Sequence, residues 1–131
     1  MKKLLSLLIH TKNDDYHHDL LYRMQRALDL NLYFINKLGK TRSKLFEIIY
    51  VDWGSEKKLS KSLYVHKDFK NSVKFIHVNK KTAKRYSKKF SNFFNPNISF
   101  NVGILKSKGK FILATGCDQF FNKQNLENLI N

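Results

Sequence analysis

The apolar residues of this chain gather into four runs, which are separated by longer stretches of mixed character. The runs are Leu4 to Ile9, Lys44 to Val51, Val73 to Val78 and Lys110 to Thr115. The first run is continuously apolar and bounded by polar residues, which is typical of a strand buried on both faces. The third is rich in β-branched residues, which favour strands. The pattern therefore predicts four strands.

Between the predicted strands, apolar residues recur at helical spacing. The clearest case runs from about Asp15 to Asn36 and is followed by the turn signal Leu38-Gly39. Further helices are predicted from Glu56 to about Val65, from Thr82 to Phe90, from the turn Asn95-Pro96-Asn97 through Lys106 with Gly109 closing it, and from an Asn122 cap to the end. Strands that alternate with helices pair in parallel through right-handed crossovers. The expected fold class is α/β: a single domain over residues 1–131, with a mostly parallel central sheet and helices on both faces.

Three of the predicted strand ends are polar. Thr11-Lys12-Asn13-Asp14-Asp15 follows the first strand, Asp52-Trp53-Gly54-Ser55 the second and Gly116-Cys117-Asp118 the fourth. In parallel α/β sheets, ligands bind outside the carboxyl ends of the strands. Parallel packing would bring the three segments to one rim, so we expect a binding site there.

Composition narrows the class of protein. A hydrophobic content of 42% with 14% aromatics excludes general disorder, and no apolar stretch reaches the ~18 residues of a membrane-spanning helix. The opening residues mimic a signal peptide, but polar residues from His10 to Asp15 stand where a cleavage site would lie, which favours a buried strand. The single cysteine, Cys117, has no partner for an internal disulfide, which suits the cytoplasm. We expect a cytoplasmic protein, with peripheral contact at the inner face of an anionic membrane as a further option.

The formal net charge of +15 predicts attraction to anions, without choosing among phosphates, nucleic acid and acidic lipid. Six cations form one broad basic face if their segment is helical: Lys80, Lys81, Lys84, Arg85, Lys88 and Lys89. Such a face is usually only solvated; its functional alternatives are attraction of donor phosphates, docking on anionic lipid and nucleic-acid binding. Four interleaved aromatic residues, Tyr86, Phe90, Phe93 and Phe94, could stack on bases, but their spacing is more typical of core packing.

Several segments resemble motifs of the family 2 glycosyltransferases, whose fold is the Rossmann-like GT-A type. Val51-Asp52-Trp53-Gly54-Ser55 is similar to the family's Val-Asp-x-Gly-Ser signature and is the most specific match. Thr11-Lys12-Asn13 resembles its Thr-x-Asn turn, with His10 in place of the frequent preceding proline. Asn101-Val102-Gly103-Ile104 and Lys108-Gly109-Lys110-Phe111-Ile112-Leu113 resemble its Asn-x-Gly helix and the strand that follows, and Asp118 falls on the second Asp of its Asp-x-Asp metal motif.

The resemblance implies binding of a nucleotide-diphosphate sugar, with a UDP-sugar as the expected donor and a glycan or lipid-linked saccharide as the unidentified acceptor. It places the nucleotide sugar against Thr11, Asn13, Asp14, Asp52, Trp53, Ser55, Asn101 and Asp118. Asp52 would accept hydrogen bonds from a uracil imide or ribose hydroxyls, and Trp53 would add stacking. Asp118 would hold a divalent cation, Mg²⁺ or Mn²⁺, together with phosphate oxygens and waters.

The sequence also departs from the family pattern. Gly116 stands at the first Asp of the metal motif, and Phe100 stands where an Arg often precedes the helical Asn. The resemblance covers the donor-binding portion alone, so the expectation is a domain truncated at its C-terminus, without acceptor-binding segments or an identified general base. The domain would then be inactive on its own.

Each site residue has a simpler alternative. In this alternative the residues have structural roles and bind no ligand. Asp52 with Gly54-Ser55 forms an Asx turn, Asn13 and Asp14 cap the long helix, and Asp118 is a turn or cap residue. Asn101 would then be a polar helix residue. The second hypothesis for the whole chain is a basic nucleic-acid-binding module, which rests on the net charge and the cationic run.

Overall fold

The computed structural model describes residues 2–14 and 18–131, and within them four parallel strands form one sheet. The strands are β1 (Leu5–Thr11), β2 (Phe46–Trp53), β3 (Val73–Val78) and β4 (Phe111–Ala114). Their order is β3-β2-β1-β4, and each neighbouring pair is parallel. The predicted α/β class with a parallel sheet is confirmed.

Helices connect the strands. They are α1 (Leu20–Asn36), α2 (Lys40–Ser43), α3 (Leu59–Ser62), α4 (Lys80–Tyr86), α5 (Pro96–Lys106) and α6 (Lys123–Ile130), and single 3-10 turns lie at Lys67–Phe69 and Ser91–Phe93. Asn95 and Asn122 cap α5 and α6 through their side chains, and the cap at Asn122 was predicted. Among the described residues, no helix is both long and apolar enough to traverse a bilayer.

The sheet is covered on both faces, because successive side chains of a strand point to opposite sides. On one face, Leu7 and Ile48 belong to a core shared with Met24 and Leu28 of α1 and with Leu126 of α6. On the other, Leu8, Ile49 and Val51 form a smaller core against Phe100 and Val102 of α5. The expected placement of helices on both faces is correct.

The contact between α5 and β1 requires a glycine. A Cβ atom at Gly103 would lie 2.2 Å from Cδ1 of Leu8, which is far inside van der Waals contact. The helix can approach the strand this closely because position 103 has no side chain. The Gly of the predicted Asn-x-Gly helix therefore has a packing role.

Several boundaries differ from the predictions. The first strand continues beyond Ile9 to Thr11, and the second continues through Trp53, so Asp52 lies inside the sheet and not in a loop after it. Helix α5 ends at Lys106 as predicted, and Gly109 lies three residues beyond it. The long helix begins at Leu20, and the first three positions predicted for it, 15–17, lie outside the described residues. Its N-cap residue is Asp19, which has a left-handed backbone and no side-chain capping bond, so neither Asn13 nor Asp14 is at the N-cap position.

Candidate functional site

Asp52 is a buried carboxylate at the carboxyl rim of the sheet. It pairs in register with Thr11 of β1 and with His77 of β3, and only 1% of its surface is exposed. Its Oδ2 accepts a hydrogen bond from the backbone N–H of Leu59 at 2.9 Å and lies 2.9 Å from Nδ1 of His77. Its Oδ1 is buried and has no hydrogen-bond partner among the described residues.

The bare Oδ1 of Asp52 sets this residue apart from an ordinary turn aspartate. A buried acceptor left unpaired costs about 1–3 kcal/mol, and more when it is charged. Buried polar atoms in folded proteins are therefore nearly always paired with protein, water or ligand. The N–H or O–H of a bound molecule, or an ordered water, would satisfy this oxygen.

Asn13 links the turn after β1 to the loop after β2. Its backbone N–H donates to Oγ of Ser55 at 2.7 Å, and its side-chain amide donates to the carbonyl of Lys57 at 3.1 Å. The loop turns at Gly54, whose φ of 73° is left-handed and where a Cβ would lie 2.6 Å from Cβ of Ala83. The structure thus brings Asn13 and Ser55 together beside Asp52, as the motifs predict.

Trp53 points away from solvent. It is 1% exposed, and its indole N–H donates to Oγ of the fully buried Ser87 at 2.8 Å. This bond ties β2 to the end of α4. Stacking of Trp53 on a nucleobase would require the indole to leave this position, so that role stays a prediction.

A cavity of about 450 Å³ opens at the end of β1. His10, Thr11, Lys12 and Asp14 form one wall, Phe90 to Asn92, Phe94 and Pro96 form the opposite wall, and Leu20 and Cys117 complete the lining. The ammonium of Lys12 donates to the carbonyl of Asn92 at 2.9 Å and so joins the two walls. The volume is within the range of roughly 300–1,000 Å³ that is usual for small-molecule sites.

The rim near this cavity is electropositive. Glu56 forms a hydrogen-bonded ion pair with Lys80. The hydrogen bond from Lys80 and the positive charges of Lys80, Lys84 and Lys12 lower the pKa of the Glu56 carboxyl. Lys12 is half-buried and lines the cavity. Three cations around one exposed carboxylate leave a surplus of positive charge, which favours an anionic ligand.

His10 forms part of the cavity wall. Burial lowers the pKa of its imidazole. Nδ1 lies 2.8 Å from Oγ of Ser99 on α5, and the ring stacks on Phe94 with a centroid distance of 5.6 Å. The position that is often proline in the resembled family thus connects β1 to α5.

Two further predicted site residues, Asp118 and Asn101, lie on other elements than Asp52, and Asp118 directly follows Cys117 of the cavity lining. Asp118 pairs with Arg23 of α1 at 2.6 Å and lines a second depression, of about 740 Å³, beside α6. Strand β4 pairs only with Leu5–Leu8 of β1, so it ends short of the rim and Asp118 follows in a turn. Asn101 lies on the exposed side of α5.

The described residues do not by themselves fit a resident metal ion. They contain no group of three or more His, Cys, Asp or Glu side chains placed to hold one. The carboxylate of Asp118 is held by the Arg23 guanidinium. Metal binding by Asp118 stays a prediction, and no chemical step is derived through a cation.

The sequence interpretation missed two features of this region. His77, the partner of Asp52, is the second-last residue of the predicted third strand. This position near the carboxyl end of the strand was the available signal. Tyr86, Phe90 and Phe93 are 48%, 37% and 45% exposed, so the expectation that they pack in the core is wrong. Only Phe94 of that group is partly buried.

The fold is a Rossmann-like α/β domain with a four-stranded parallel sheet. It is similar to that of TarS, a wall teichoic acid glycosyltransferase of S. aureus. Against a structure of TarS 1–349 the TM-score is 0.58 with 18% identity, over 97% of this chain and 31% of that one. Against a longer TarS structure the TM-score is 0.60 with 17% identity, over 97% of this chain and 19% of TarS.

At such identities the likeness shows the fold alone, and the chain spans less than a third of TarS in either comparison. No protein-family model matches the sequence, and no curated protein does. Membership of family 2 in particular therefore stays a prediction. The alternative of a nucleic-acid-binding module is not supported by the comparisons.

Proposed function

We propose that this domain binds a nucleotide-diphosphate sugar at the carboxyl rim of its sheet and serves as the donor-binding part of a glycosyltransferase. The observation that carries the proposal is the cavity of about 450 Å³ at the end of β1, lined by Thr11, Lys12 and Asp14. It lies where parallel α/β folds bind nucleotides. The fold, shared with a glycosyltransferase, supports the same conclusion.

In this proposal Asp52 recognises the nucleoside. Its buried Oδ1 has acceptor capacity that the described residues leave unused. A uracil imide N–H or a ribose hydroxyl would supply the missing donor, which is why we favour a UDP-sugar. Asn13 and Ser55 hold the two loops around this carboxylate through their 2.7 Å hydrogen bond.

The diphosphate would lie towards the cations. Sugar transfer leaves negative charge on the departing phosphates, and catalysis requires that charge to be stabilised. Lys12, on the cavity wall, is the side chain that we assign to this role, supported by the field of Lys80 and Lys84. If a divalent cation binds, Asp118 would be its protein ligand, and the cation would supply further stabilisation of that charge. The acceptor and the general base remain unassigned.

We also propose a cytoplasmic location. The only cysteine, Cys117, offers no internal disulfide, as is usual in a reducing compartment.

Calorimetry tests the proposal directly. The full chain is titrated with UDP, with UDP-sugars and with GDP, in the presence of Mn²⁺ and again with a chelator. We expect saturable binding of UDP, weakened about tenfold or more by Asp52→Ala, because hydrogen bonds to charged groups contribute about 1.5–3 kcal/mol.

Asp68→Ala is the matched control, since it removes the same charge from a side chain that is 69% exposed, on a turn before β3. Its affinity for UDP should equal that of the unaltered chain. The proposal fails if the folded protein binds no nucleoside diphosphate in either condition, or if the two substitutions have equal effects.

A further inference from the structure

The positive charge of this chain is concentrated in one long segment. From Phe69 to Cys117 the sequence contains eleven lysine and arginine residues and no aspartate or glutamate. The segment includes β3, α4, α5 and β4. A genome-wide bias towards lysine would raise the cation count everywhere, but it would not remove every acid from 49 consecutive residues.

Helix α4 and the turn after it are fixed to the domain by their inner side. Ala83 is 2% exposed and packs against the backbone at Gly54. Ser87 is fully buried and accepts the hydrogen bond from Trp53. The side-chain amide of Asn95 donates to the carbonyl of Tyr86 at 2.7 Å. These contacts form a stable platform whose other side faces solvent.

The outer side of this platform carries cations and aromatic rings together. Its exposed residues are Lys80, Lys81, Lys84, Arg85, Tyr86, Lys88, Lys89, Phe90 and Phe93, which we call the basic–aromatic surface. Nζ of Lys84 lies 5.5 Å from the ring centroid of Phe93, and the Arg85 guanidinium lies 5.7 Å from that of Tyr86. Rings beside long cationic side chains are typical of protein surfaces that enter the headgroup layer of a bilayer.

The backbone at Phe93 adopts a conformation that is unfavourable for phenylalanine. The φ of 53° at Asn92 is one that asparagine adopts readily, whereas Phe93 has a left-handed φ angle of 50°, which is unfavourable for a bulky side chain. Such conformations persist only where the surrounding structure maintains them, and they are enriched at functional positions. Here the result is a Phe93 ring that is 45% exposed.

We propose that the basic–aromatic surface docks the domain on an anionic phospholipid bilayer. Each cation near such a membrane contributes attraction, and the three rings add apolar contact. The surface consists of a seven-residue helix and the turn that follows it, and its cations and rings are exposed side by side. A continuous exposed surface of this kind suits a planar array of headgroups better than a nucleic-acid strand, which needs a groove that tracks its backbone.

Docking would also orient the cavity. Phe90 belongs to the basic–aromatic surface and lines the cavity as well. A bilayer bound there would lie beside the cavity mouth, where a lipid-carried acceptor could reach it. This consequence rests on the proposed function, whereas the docking itself does not.

Cosedimentation with vesicles tests the proposal without any nucleotide, so its result is independent of donor binding. We expect the full chain to bind phosphatidylcholine vesicles that contain phosphatidylglycerol, to bind pure phosphatidylcholine poorly, and to be released by salt. The triple substitution Lys84→Gln, Arg85→Gln, Lys88→Gln should weaken partitioning on the order of 100-fold. The triple substitution Lys40→Gln, Arg42→Gln, Lys44→Gln removes the same charge at the amino end of β2, and its effect should be far smaller.

Phe93→Trp tests the apolar contact, because an indole that enters the headgroup layer shifts its fluorescence to the blue while buried Trp53 stays constant. Circular dichroism checks that each variant is folded. The proposal is overturned by equal binding to neutral and anionic vesicles, by no binding to either, or by equal losses in the two triple variants. Tighter binding to oligonucleotides that depends on the same three cations would also overturn it, in favour of nucleic acid.

Discussion

The imidazole Nδ1 of His77 lies 2.9 Å from Oδ2 of Asp52, and this pair joins the carboxyl ends of β2 and β3. The aspartate side chain is 1% exposed and the histidine side chain 22% exposed. A carboxylate this deeply buried depends on its few hydrogen-bond donors, because water does not solvate it. His77 is therefore the side chain that keeps Asp52 in place at the rim.

We predict that Asp52 and His77 are strongly coupled in stability. A double-mutant cycle with Asp52→Ala and His77→Ala, measured by denaturant unfolding, should give a coupling free energy of about 1–3 kcal/mol. The exposed pair His66 and Asp68, with Nδ1 and Oδ2 3.4 Å apart, is the natural comparison. Its coupling should stay below about 1 kcal/mol. Equal coupling in both pairs would show that burial does not strengthen the interaction between His77 and Asp52.

A methyl group at position 103 should disrupt the contact between α5 and β1. Gly103→Ala places its Cβ on the side chain of Leu8, and overpacking of this kind costs about 1–3 kcal/mol of unfolding free energy. Leu8→Ala alone leaves a cavity. In the double variant the added methyl occupies part of that space, so the combined loss should be smaller than the sum of the two single losses. Additive losses would show that the two positions do not compete for space.

The strand positions were predictable because parallel strands buried on both faces appear as uninterrupted apolar runs. The run Val73 to Val78 coincides with β3, and the Asn122 cap was recognisable from residue type alone. The end of β2 was misjudged at Asp52. Local sequence marks this aspartate as a turn residue, whereas the ladder with Thr11 and His77 keeps it in the sheet.

The composition of the site was harder to predict, because it depends on strand length and on side-chain orientation. The motif order predicted that Asp118 would lie near Asp52; β4 is only four residues long, and the turn after it places Cys117 in the cavity lining and Asp118 against Arg23. Trp53 belongs to the signature, yet its strand position directs the indole towards Ser87. Hydrogen bonds between residues far apart in sequence decide these outcomes, and no short-range pattern records them.

His10 should make stability depend on pH. Its folded-state pKa is lowered by burial, so the unfolded chain binds a proton more readily. The contribution of His10 to the unfolding free energy is then fully present above the unfolded pKa of about 6.5, and it falls as the pH decreases from there towards the folded pKa. We expect the loss in melting temperature between pH 7.5 and pH 5.5 to be smaller in His10→Asn than in the unaltered chain. An identical loss in both would show that other groups carry the whole dependence.

The pair formed by Arg23 and Asp118 provides a test of metal binding. The two side chains are 40% and 36% exposed, so their ion pair should contribute less than about 1 kcal/mol to stability. Arg23→Gln leaves the Asp118 carboxylate without its guanidinium. If Asp118 is a metal ligand, this change should increase the gain in UDP affinity that Mn²⁺ provides, and Asp118→Asn should abolish it. A Mn²⁺ effect that is unchanged in Asp118→Asn would remove this residue from the metal site.

Cys117 reports on occupancy of the cavity, because it is the only cysteine in the chain and it lines the cavity beside Thr11. Burial raises the pKa of its thiol, which lowers the thiolate fraction at neutral pH, so iodoacetamide should react more slowly than with an exposed cysteine. Saturating UDP should slow the reaction further, and Asp52→Ala should lose this protection at the same UDP concentration. The alkylated fraction is read by mass spectrometry over time. Binding of UDP in calorimetry without any change in the alkylation rate would place the nucleotide outside the cavity at the end of β1.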